Sequence, residues 1–566
     1  MDNNEDDDFD SLLSTIGFGR WQSPTLAAVI LVAMQYPIHL VGSPLLSAPL
    51  PYRCSHPDNA SATPVIGSSY FNDHCLPFPD DHGKEATTEG APVNSTVLEL
   101  PLSTERHLTS MKSCPVIEYN TSIFTSTVIS EWHLVCENKH LQPLFQMMYN
   151  IGGIFGSFAG GHVGDKWGRR RSLQIGIVSY ILVVIAMAFT SSFPFLLILR
   201  ILTGVTGQSM LIPAWSQALE STPSRHRSLV GMLLGFPYSL FVIVFSGVGY
   251  LIRSWRYLML VCCAPSLALL PLSFSLMDES PRWLVQQGRQ DDATKVLKRA
   301  VKLNKASLTS SLESTIAKIH QASDPKPEGE TSFSVRESLR QAMAYLRSPI
   351  MRTIILVTPL LWFLQSCLYL AVAINANNFN SSNPFLYVCL SGVMDGSAIL
   401  LMTPLTTFLG RRIIVGVGLF VGGIFFLLDL VVSEEYFWLK MTLVMIGFFL
   451  VAGSFQMNYV YGPELFPTEA RSRGFAFVTL MGGTGFMCSP VITYNLAKLA
   501  WWAAPVTFGC AAILGSFTLP LLPETRNQPM PDTLKDVEEK LVKGKRKAAN
   551  TEKEIGSCDD TKDSGV

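Results

Sequence analysis

The side chains able to do chemistry in this chain are the few polar or ionisable ones set inside otherwise oily runs. Within "LLWFLQSCLYL", Trp362, Gln365 and Tyr369 recur at steps of three and four, which puts them on one helical face. Other runs contribute Tyr36 and His39, Tyr149 and Asn150, Gln208, Phe236 and Tyr238 around Pro237, and Gln456 with Tyr459. Among the charges, Asp395 lies about eleven residues into its run, near the middle, whereas Asp429 lies near a run end and within reach of water; Arg200, some seven residues into its run, could reach water likewise, but a structural role is the commoner one for such a residue. A charge at a bilayer centre costs about 2.5 to 3.5 kcal/mol even on a lenient insertion scale, so such a residue must face a cavity or a partner. Aromatic rings beside amides offer a large organic ion shape-tolerant contact, and ring faces attract cations. Asp395 is therefore a candidate counter-charge for a cation, or a proton relay, with a hydrogen-bonded structural carboxylate as an equal alternative. For His39 a satisfied packing role fits better than titration. For the others, helix packing or an interfacial aromatic belt serves as well as substrate contact.

The elements that must position these residues are membrane spans. Hydrophobic residues make up 48% of 566 positions and charged residues 15%, with a mean hydropathy of +0.29, far more apolar surface than a soluble chain needs. Twelve runs are long enough to cross about 30 Å of hydrocarbon at about 1.5 Å per residue. They lie near residues 22–45, 142–163, 172–190, 193–214, 228–250, 256–277, 351–374, 384–408, 413–432, 437–460, 474–496 and 502–522. The expected fold is an all-α membrane protein of twelve transmembrane helices. The acidic opening "MDNNEDDDFD" has neither a cationic region nor a cleavage site, so the first helix is expected to stay. A net charge of -1, with no zinc-type cysteine pairs, Walker loop or Rossmann fingerprint, excludes a general nucleic-acid binder.

Orientation follows from Lys and Arg. With the N-terminus in the cytoplasm, Lys166, Arg169 to Arg171, Arg225, Arg227, Arg411, Arg412, Arg471, Arg473, the basic 282–347 segment and the "KGKRK" tail all fall inside. The short outer loops keep little beyond Arg253, Arg256, Lys440 and Lys498, the positive-inside pattern. All four sequons without an intervening Pro, at Asn59, Asn94, Asn120 and Asn380, then fall outside. The loop between the first two runs also carries Cys54, Cys75, Cys114 and Cys136, an even set suited to disulfides in an oxidising compartment, with three pairings open. That loop is also where self-association would occur.

The loop "GHVGDKWGRRRSL" between the second and third runs is echoed by "FLGRRI", where Gly410, Arg411 and Arg412 match Gly168, Arg169 and Arg170 at an offset of 242. Glu220, Pro223 and Arg227 share their spacing with Glu464, Pro467 and Arg471 at an offset of 244, and Glu279 of "DESPRWL" pairs with Glu524 of "PETR" at 245. One period across three motifs makes two related six-helix halves, as in transporters whose halves rock about a central site. The resulting partition is a cytoplasmic N-terminus (1–21), a first bundle (22–277) with an outer loop (46–141), a cytoplasmic linker (278–350), a second bundle (351–522) and a cytoplasmic tail (523–566). Within the linker, "ATKVLKRAVKLNK" and "VRESLRQAMAYLR" have helical apolar spacing and read as short bracing helices.

These motifs resemble a known family. "GHVGDKWGRRR" is similar to the signature loop of the major facilitator superfamily, and "DESPRWL", "GPELFPTEARSRG", "LLPETR", "IGFGRWQ" and "YRC" resemble its organic-ion branch, solute carrier family 22, over nearly the whole chain. The resemblance implies an organic-ion carrier working by alternating access at the plasma membrane, without covalent chemistry or a required cofactor. It implies pocket roles for Trp362, Tyr369 and Gln456. It also implies that Asp165 sits beside basic residues and a helix N-terminus of the other half, latching one conformation, as a carboxylate at a positive dipole end would. In that latch Gly161 and Gly168 let backbones approach and turn, while Arg169 to Arg171 bond inner carboxylates such as Glu220 and Glu464, alongside Arg227 and Arg471. The second copy has Thr403 and Thr407 where the first has Gly161 and Asp165, so the latch is expected to be asymmetric. The position that carries Asp in many cation transporters of this family, and Arg in many anion or carnitine transporters, is here Gly483. Asp395 therefore favours cations or zwitterions. An organic-anion carrier, a sugar porter and a carrier-shaped receptor without transport remain as competing readings.

Overall fold

The computed structural model describes residues 3–55, 116–306, 343, 345–374, 383–433, 435–467 and 470–526. Asn59, Asn94, Asn380, Cys75, Cys114 and most of "VRESLRQAMAYLR" lie outside them. The chain divides into two units: residues 1–45, 143–252 and 256–566, and residues 46–142 with 253–255.

The larger unit is an all-helical bundle. Among the described residues, eleven helical segments are long and apolar enough to cross a membrane: Ser23–Leu40, Arg169–Phe189, Phe193–Glu220, Ser224–Leu251, Trp255–Leu276, Pro349–Ile374, Pro384–Thr406, Arg411–Leu428, Phe437–Leu465, Arg473–Leu499 and Ala503–Leu521. The helix Gln142–Trp167 supplies the second of the twelve spans. It is less apolar because Gln142, Gln146, Asn150, Asp165, Lys166 and several glycines interrupt its apolar residues. The spans are numbered below from one to twelve in chain order.

Small residues set the helix spacing. Gly152, Gly156 and Gly160 of span 2 lie on one face, and a Cβ on them would come within 2.0 Å of the Ile201 carbonyl oxygen, 2.4 Å of that of Val205 and 2.7 Å of the Ser209 Cα. Span 4 therefore lies backbone against backbone on span 2, the contact that a small-residue stripe permits. We expect Gly152→Ala to lower thermal stability by about 1 to 3 kcal/mol through overpacking. Gly247→Ala, where nothing lies within 4 Å of the new Cβ, should melt like the parent; equal melting of all three proteins would refute the close-packing account.

Spans 1 and 5 share a break. Span 1 runs Ser23–Ala33 and restarts at Tyr36–Leu40; span 5 runs Ser224–Leu233 and restarts at Phe236–Leu251. Each restart places Pro in its second position, Pro37 and Pro237, so the carbonyl four residues earlier loses its amide donor. The backbone tightens just before it, with three-residue hydrogen bonds from Gln35 N to Val32 O (3.1 Å) and from Gly235 N to Met232 O (3.2 Å).

The end of this unit that carries the Gly–Arg loops holds a small helical subassembly. The helix Asn3–Ile16 buries Phe9, Leu12, Leu13 and Ile16 with Trp21 against Trp283, Leu284 and Val285 of Pro281–Gln286 and Ala293, Leu297 and Ala300 of Gln290–Asn304. Spacing of three to four residues makes Asn3–Ile16 and Gln290–Asn304 one-sided, whereas the short Pro281–Gln286 buries three consecutive residues. Asn304 ties the pieces, accepting from Trp21 N (2.9 Å) and donating to Gly17 O (3.0 Å). The helix Gln290–Asn304 ends at Lys305, whose φ of 54° is left-handed.

The smaller unit contains two antiparallel strands, β1 (Tyr52–Ser55) and β2 (Val116–Tyr119), with Cys54 opposite Ile117. Arg53 and Glu118 pair across them at 2.7 Å. Cys136 is disulfide-bonded. Asn120 follows β2 and accepts from Ser122 N through Oδ1 (3.0 Å). Thr127 and Ser130 form a reciprocal cap on the helix Val128–Glu131, and Trp255 donates to Glu131 at 2.7 Å. Burial beside Tyr52 pushes the Tyr119 phenol up to about 12.

Candidate functional site

Asp395 lies midway along span 8 and is only 8% exposed. Its two carboxylate oxygens are held from opposite halves: Ser239 of span 5 donates to Oδ2 at 2.5 Å and Tyr369 of span 7 donates to Oδ1 at 3.3 Å. No basic side chain among the described residues bonds it. A void of about 10 Å³, the size of one water molecule, adjoins it and is lined by Tyr238, Tyr369, Phe448 and Val41 among others. Gly392 and Gly396 bring span 8 against Val242, Ser239 and Phe236 of span 5, which places Phe236 one turn from the carboxylate.

Aromatic side chains gather on both sides of that point. In the first half Tyr36 lies 6.2 Å from Tyr149 and 6.1 Å from Tyr238, ring centre to ring centre, and Gln208 donates to the Tyr36 hydroxyl at 2.6 Å. In the second half Trp362 meets Tyr459 at 5.0 Å, Phe475 at 5.7 Å and Phe455 at 6.1 Å, while Tyr369 stacks on Phe455 at 5.3 Å. Tyr459 stays 46% exposed despite these ring contacts, as a residue lining an opening does. The indole N–H of Trp362 is buried with no acceptor among the described residues, an arrangement that costs about 1 to 3 kcal/mol unless another acceptor satisfies it. Gln456 approaches Gly235 across the halves, its Nε2 lying 3.1 Å from where a Cβ would stand.

Several sequence candidates are placed elsewhere. Gln365, expected beside Trp362 and Tyr369 on a pathway face, is fully buried; it donates to Ser454 (3.0 Å) and accepts from Asn458, fastening span 7 to span 10. Asn150 donates to the Phe486 carbonyl at 2.8 Å and so joins span 2 to span 11. Arg200 does not reach water. It is fully buried, donating to the carbonyls of Phe145 (3.1 Å) and His39 (3.3 Å) and to His39 Nδ1 (3.1 Å), with the Phe145 ring 4.0 Å away. A guanidinium can only donate, so Nδ1 accepts and Nε2 carries the proton facing the Tyr180 hydroxyl at 2.7 Å. His39 is thus a satisfied packing residue. Asp429 is also buried, and Lys440, assigned above to an outer loop, is a buried residue of span 10 near the Trp501 ring. At Gly483 a Cβ would meet Ile154 of span 2 at 3.0 Å, so the first half fills the space a charged side chain would need.

The loop motifs form two matched networks. In the first half Arg169 pairs with Glu220 (3.1 Å) and Asp165 (3.0 Å), Ser280 donates to Glu220 (2.5 Å), and Glu279 accepts from the backbone of Arg170 (3.0 Å) and Ser280 (3.1 Å). In the second, Arg411 pairs with Glu464 (3.4 Å), Thr525 donates to Glu464 (2.5 Å), and Glu524 accepts from the backbone of Arg411 (2.8 Å) and Arg412 (3.2 Å). Gly168 has a φ of 100°, and a Cβ there would lie 2.3 Å from Glu279; one on Gly410 would lie 2.2 Å from Glu524. Burial raises the Glu279 carboxyl above its ordinary value, and the N–H groups of Arg170 and Ser280 act against that rise. Asp165 differs from the expected latch. Its side chain is 76% exposed and bonds Arg169 of its own half. Gly161 is open on its Cβ side, with nothing within 4 Å. Arg227 pairs with Asp10 of the N-terminal helix at 2.7 Å, a partner that charge spacing along the chain did not indicate. Arg471 opens the helix Arg471–Leu499 and Arg227 lies in the first turn of Ser224–Leu233; both are partly buried. Arg169 bonds Glu220 but not Glu464, whose arginine is Arg411.

Sequence reasoning passed over Ser239, Ser454, Asn458 and the ring-bearing Phe448, Phe455 and Phe475. Only Ser239 had an available signal: it stands on the same turn as Tyr238, in the run facing span 8.

The comparisons with known proteins agree with this geometry. A family model described as sugar (and other) transporter matches residues 95–535. "Solute carrier family 22 member 6" of Danio rerio is 30% identical over 422 residues, covering 75% of this chain and 74% of its own, and "Solute carrier family 22 member 20" of Mus musculus is 28% identical over 547 residues, 96% of each chain. "Beta-alanine transporter" of Drosophila melanogaster is 29% identical over 423 residues, covering 74% of this chain and 68% of its own. The inward open conformation of the xylose transporter XylE from E. coli superposes with a TM-score of 0.56 at 19% identity, covering 71% of this chain and 89% of that one.

Proposed function

Because the chain belongs to the sugar (and other) transporter family of the major facilitator superfamily, and to its solute carrier family 22 type, we propose that it carries organic cations or zwitterions by alternating access. It is a multi-pass membrane transporter of small organic substrates, and its family is one of carriers rather than enzymes. The plasma membrane is the setting that the family suggests, and the Lys and Arg distribution supports an orientation with both termini cytoplasmic.

The observation that carries the charge assignment is Asp395: a buried carboxylate between the halves, hydrogen-bonded only by hydroxyls and without a basic partner among the described residues. A buried charge calls for compensation, and a substrate ammonium group supplies it. The rings around Trp362 and Tyr369 suit the apolar remainder of such a substrate and attract its charge. The Trp362 N–H is a donor for a second polar group, so a zwitterion finds partners for both ends. The name of the Drosophila relative, a β-alanine transporter, is consistent with that chemistry. The anion reading has less support, since the positive charge of Arg200 is enclosed by carbonyls and rings. A sugar porter draws on the family name and the fold, but Gln365 and Asn458, the amides a sugar would use, are spent on each other.

An uptake panel in cells expressing the protein tests the proposal, with one organic cation, one zwitterion, one anion and glucose. Saturable uptake of the cation or zwitterion is expected. Uptake of the anion or glucose alone would replace the proposal with the corresponding carrier, and saturable binding without uptake would make the protein a receptor.

A further inference from the structure

A second cavity, of about 380 Å³, lies away from Asp395 at the end of the bundle that carries the Gly–Arg loops. Its walls are the first turn of span 3, the end of span 6 and the two helices after it. Arg170, Arg171, Arg289 and Lys295 line it together with Asp278, Glu279 and Asp292. The three carboxylates are already engaged. Asp278 pairs with Arg299 (2.8 Å), Asp292 with Arg289 (2.7 Å) and Lys295 (3.2 Å), and Glu279 accepts backbone N–H groups. The Arg170 guanidinium donates from Nε to the carbonyl of Ser273 (2.9 Å) and from Nη2 to that of Phe274 (2.5 Å), two of its five N–H groups, and neither carbonyl compensates its charge. Arg171 is exposed and has no acceptor among the described residues. The cavity is thus a positively charged recess with donors to spare.

Its rim is apolar on the side of the bilayer. Phe274, which lines the cavity, is 53% exposed, and Ile175, one turn along span 3 from Arg171, is 51% exposed. We propose that the cavity holds the negatively charged phosphate head group of a membrane lipid, with its acyl chains against Ile175 and Phe274. A free phosphate would answer only the basic half of the site, whereas a lipid answers both. Basic recesses at helix ends bind such head groups, each Lys or Arg near the surface strengthening the attraction about five-fold.

The full-length protein in nanodiscs of phosphatidylcholine, with and without phosphatidylserine, supplies the test, with melting temperature as the readout. Phosphatidylserine should raise the midpoint, and Arg171→Gln with Lys295→Gln should remove most of that rise while melting like the parent in phosphatidylcholine alone. Should the double variant melt differently there, Lys295→Gln alone, whose side chain is 75% exposed, reads the effect as about a five-fold weaker dependence on phosphatidylserine content. An undiminished rise in the variants, no rise in the parent, or the same rise with inorganic phosphate in phosphatidylcholine discs would each overturn the proposal.

Discussion

Asp395→Asn should reduce cation uptake, as kcat/KM, by about 30- to 4,000-fold, because removing one partner of a buried charge pair costs about 2 to 5 kcal/mol. Asparagine keeps the volume; its amide oxygen can accept from one of Ser239 and Tyr369 and its NH2 can donate to the hydroxyl oxygen of the other, so surface expression should hold and the loss should fall on uptake. Uptake of an organic anion, if any is measurable, should be unaffected. Ser239→Ala makes the complementary case: it leaves the charge but frees one oxygen from the first half, so it should alter the rate of turnover more than substrate affinity. Equal cation uptake by Asp395→Asn and the parent, at equal surface expression, would remove the charge assignment.

Glu279→Ala and Glu524→Ala should fail alike. Each carboxylate accepts the first backbone N–H groups of a span, Arg170 for one and Arg411 with Arg412 for the other. Hydrogen bonds to an ionised group are worth about 1.5 to 3 kcal/mol, and the favourable helix N-terminus adds to this. We expect each substitution to lower thermal stability by at least about 2 kcal/mol and transport by tenfold or more. The paired comparison carries the weight. If one variant is crippled and the other behaves as the parent, the two halves are not supported by equivalent networks.

That equivalence is legible in the sequence, because the three motif offsets of 242, 244 and 245 residues align Glu220 with Glu464 and Glu279 with Glu524. The membrane spans were readable for the same kind of reason: hydropathy reports how much apolar length a run has. It does not report which way a side chain points. Gln365 shares a helical face with Trp362 by spacing, yet it is consumed by Ser454 and Asn458, whose position depends on how span 10 is rotated. Asp429 looked able to reach water from its place along a span, but neighbouring helices enclose it, and of the two roles open to Arg200 its burial leaves the structural one. The Asp10–Arg227 pair joins residues 217 apart through packing of the N-terminal helix, and no local pattern encodes it. Asp165 meets a basic residue as expected, but that residue is Arg169 of its own half.

The paired interruptions of spans 1 and 5 have a mechanical consequence. Both fall beside the aromatic cluster, at Tyr36–Pro37 and Phe236–Pro237, where a proline has already removed a rung of the backbone ladder. Bending a helix there sacrifices no further hydrogen bond. The segments that follow the creases, Tyr36–Leu40 and Phe236–Leu251, can therefore tilt against the segments that precede them without opening the backbone ladder further.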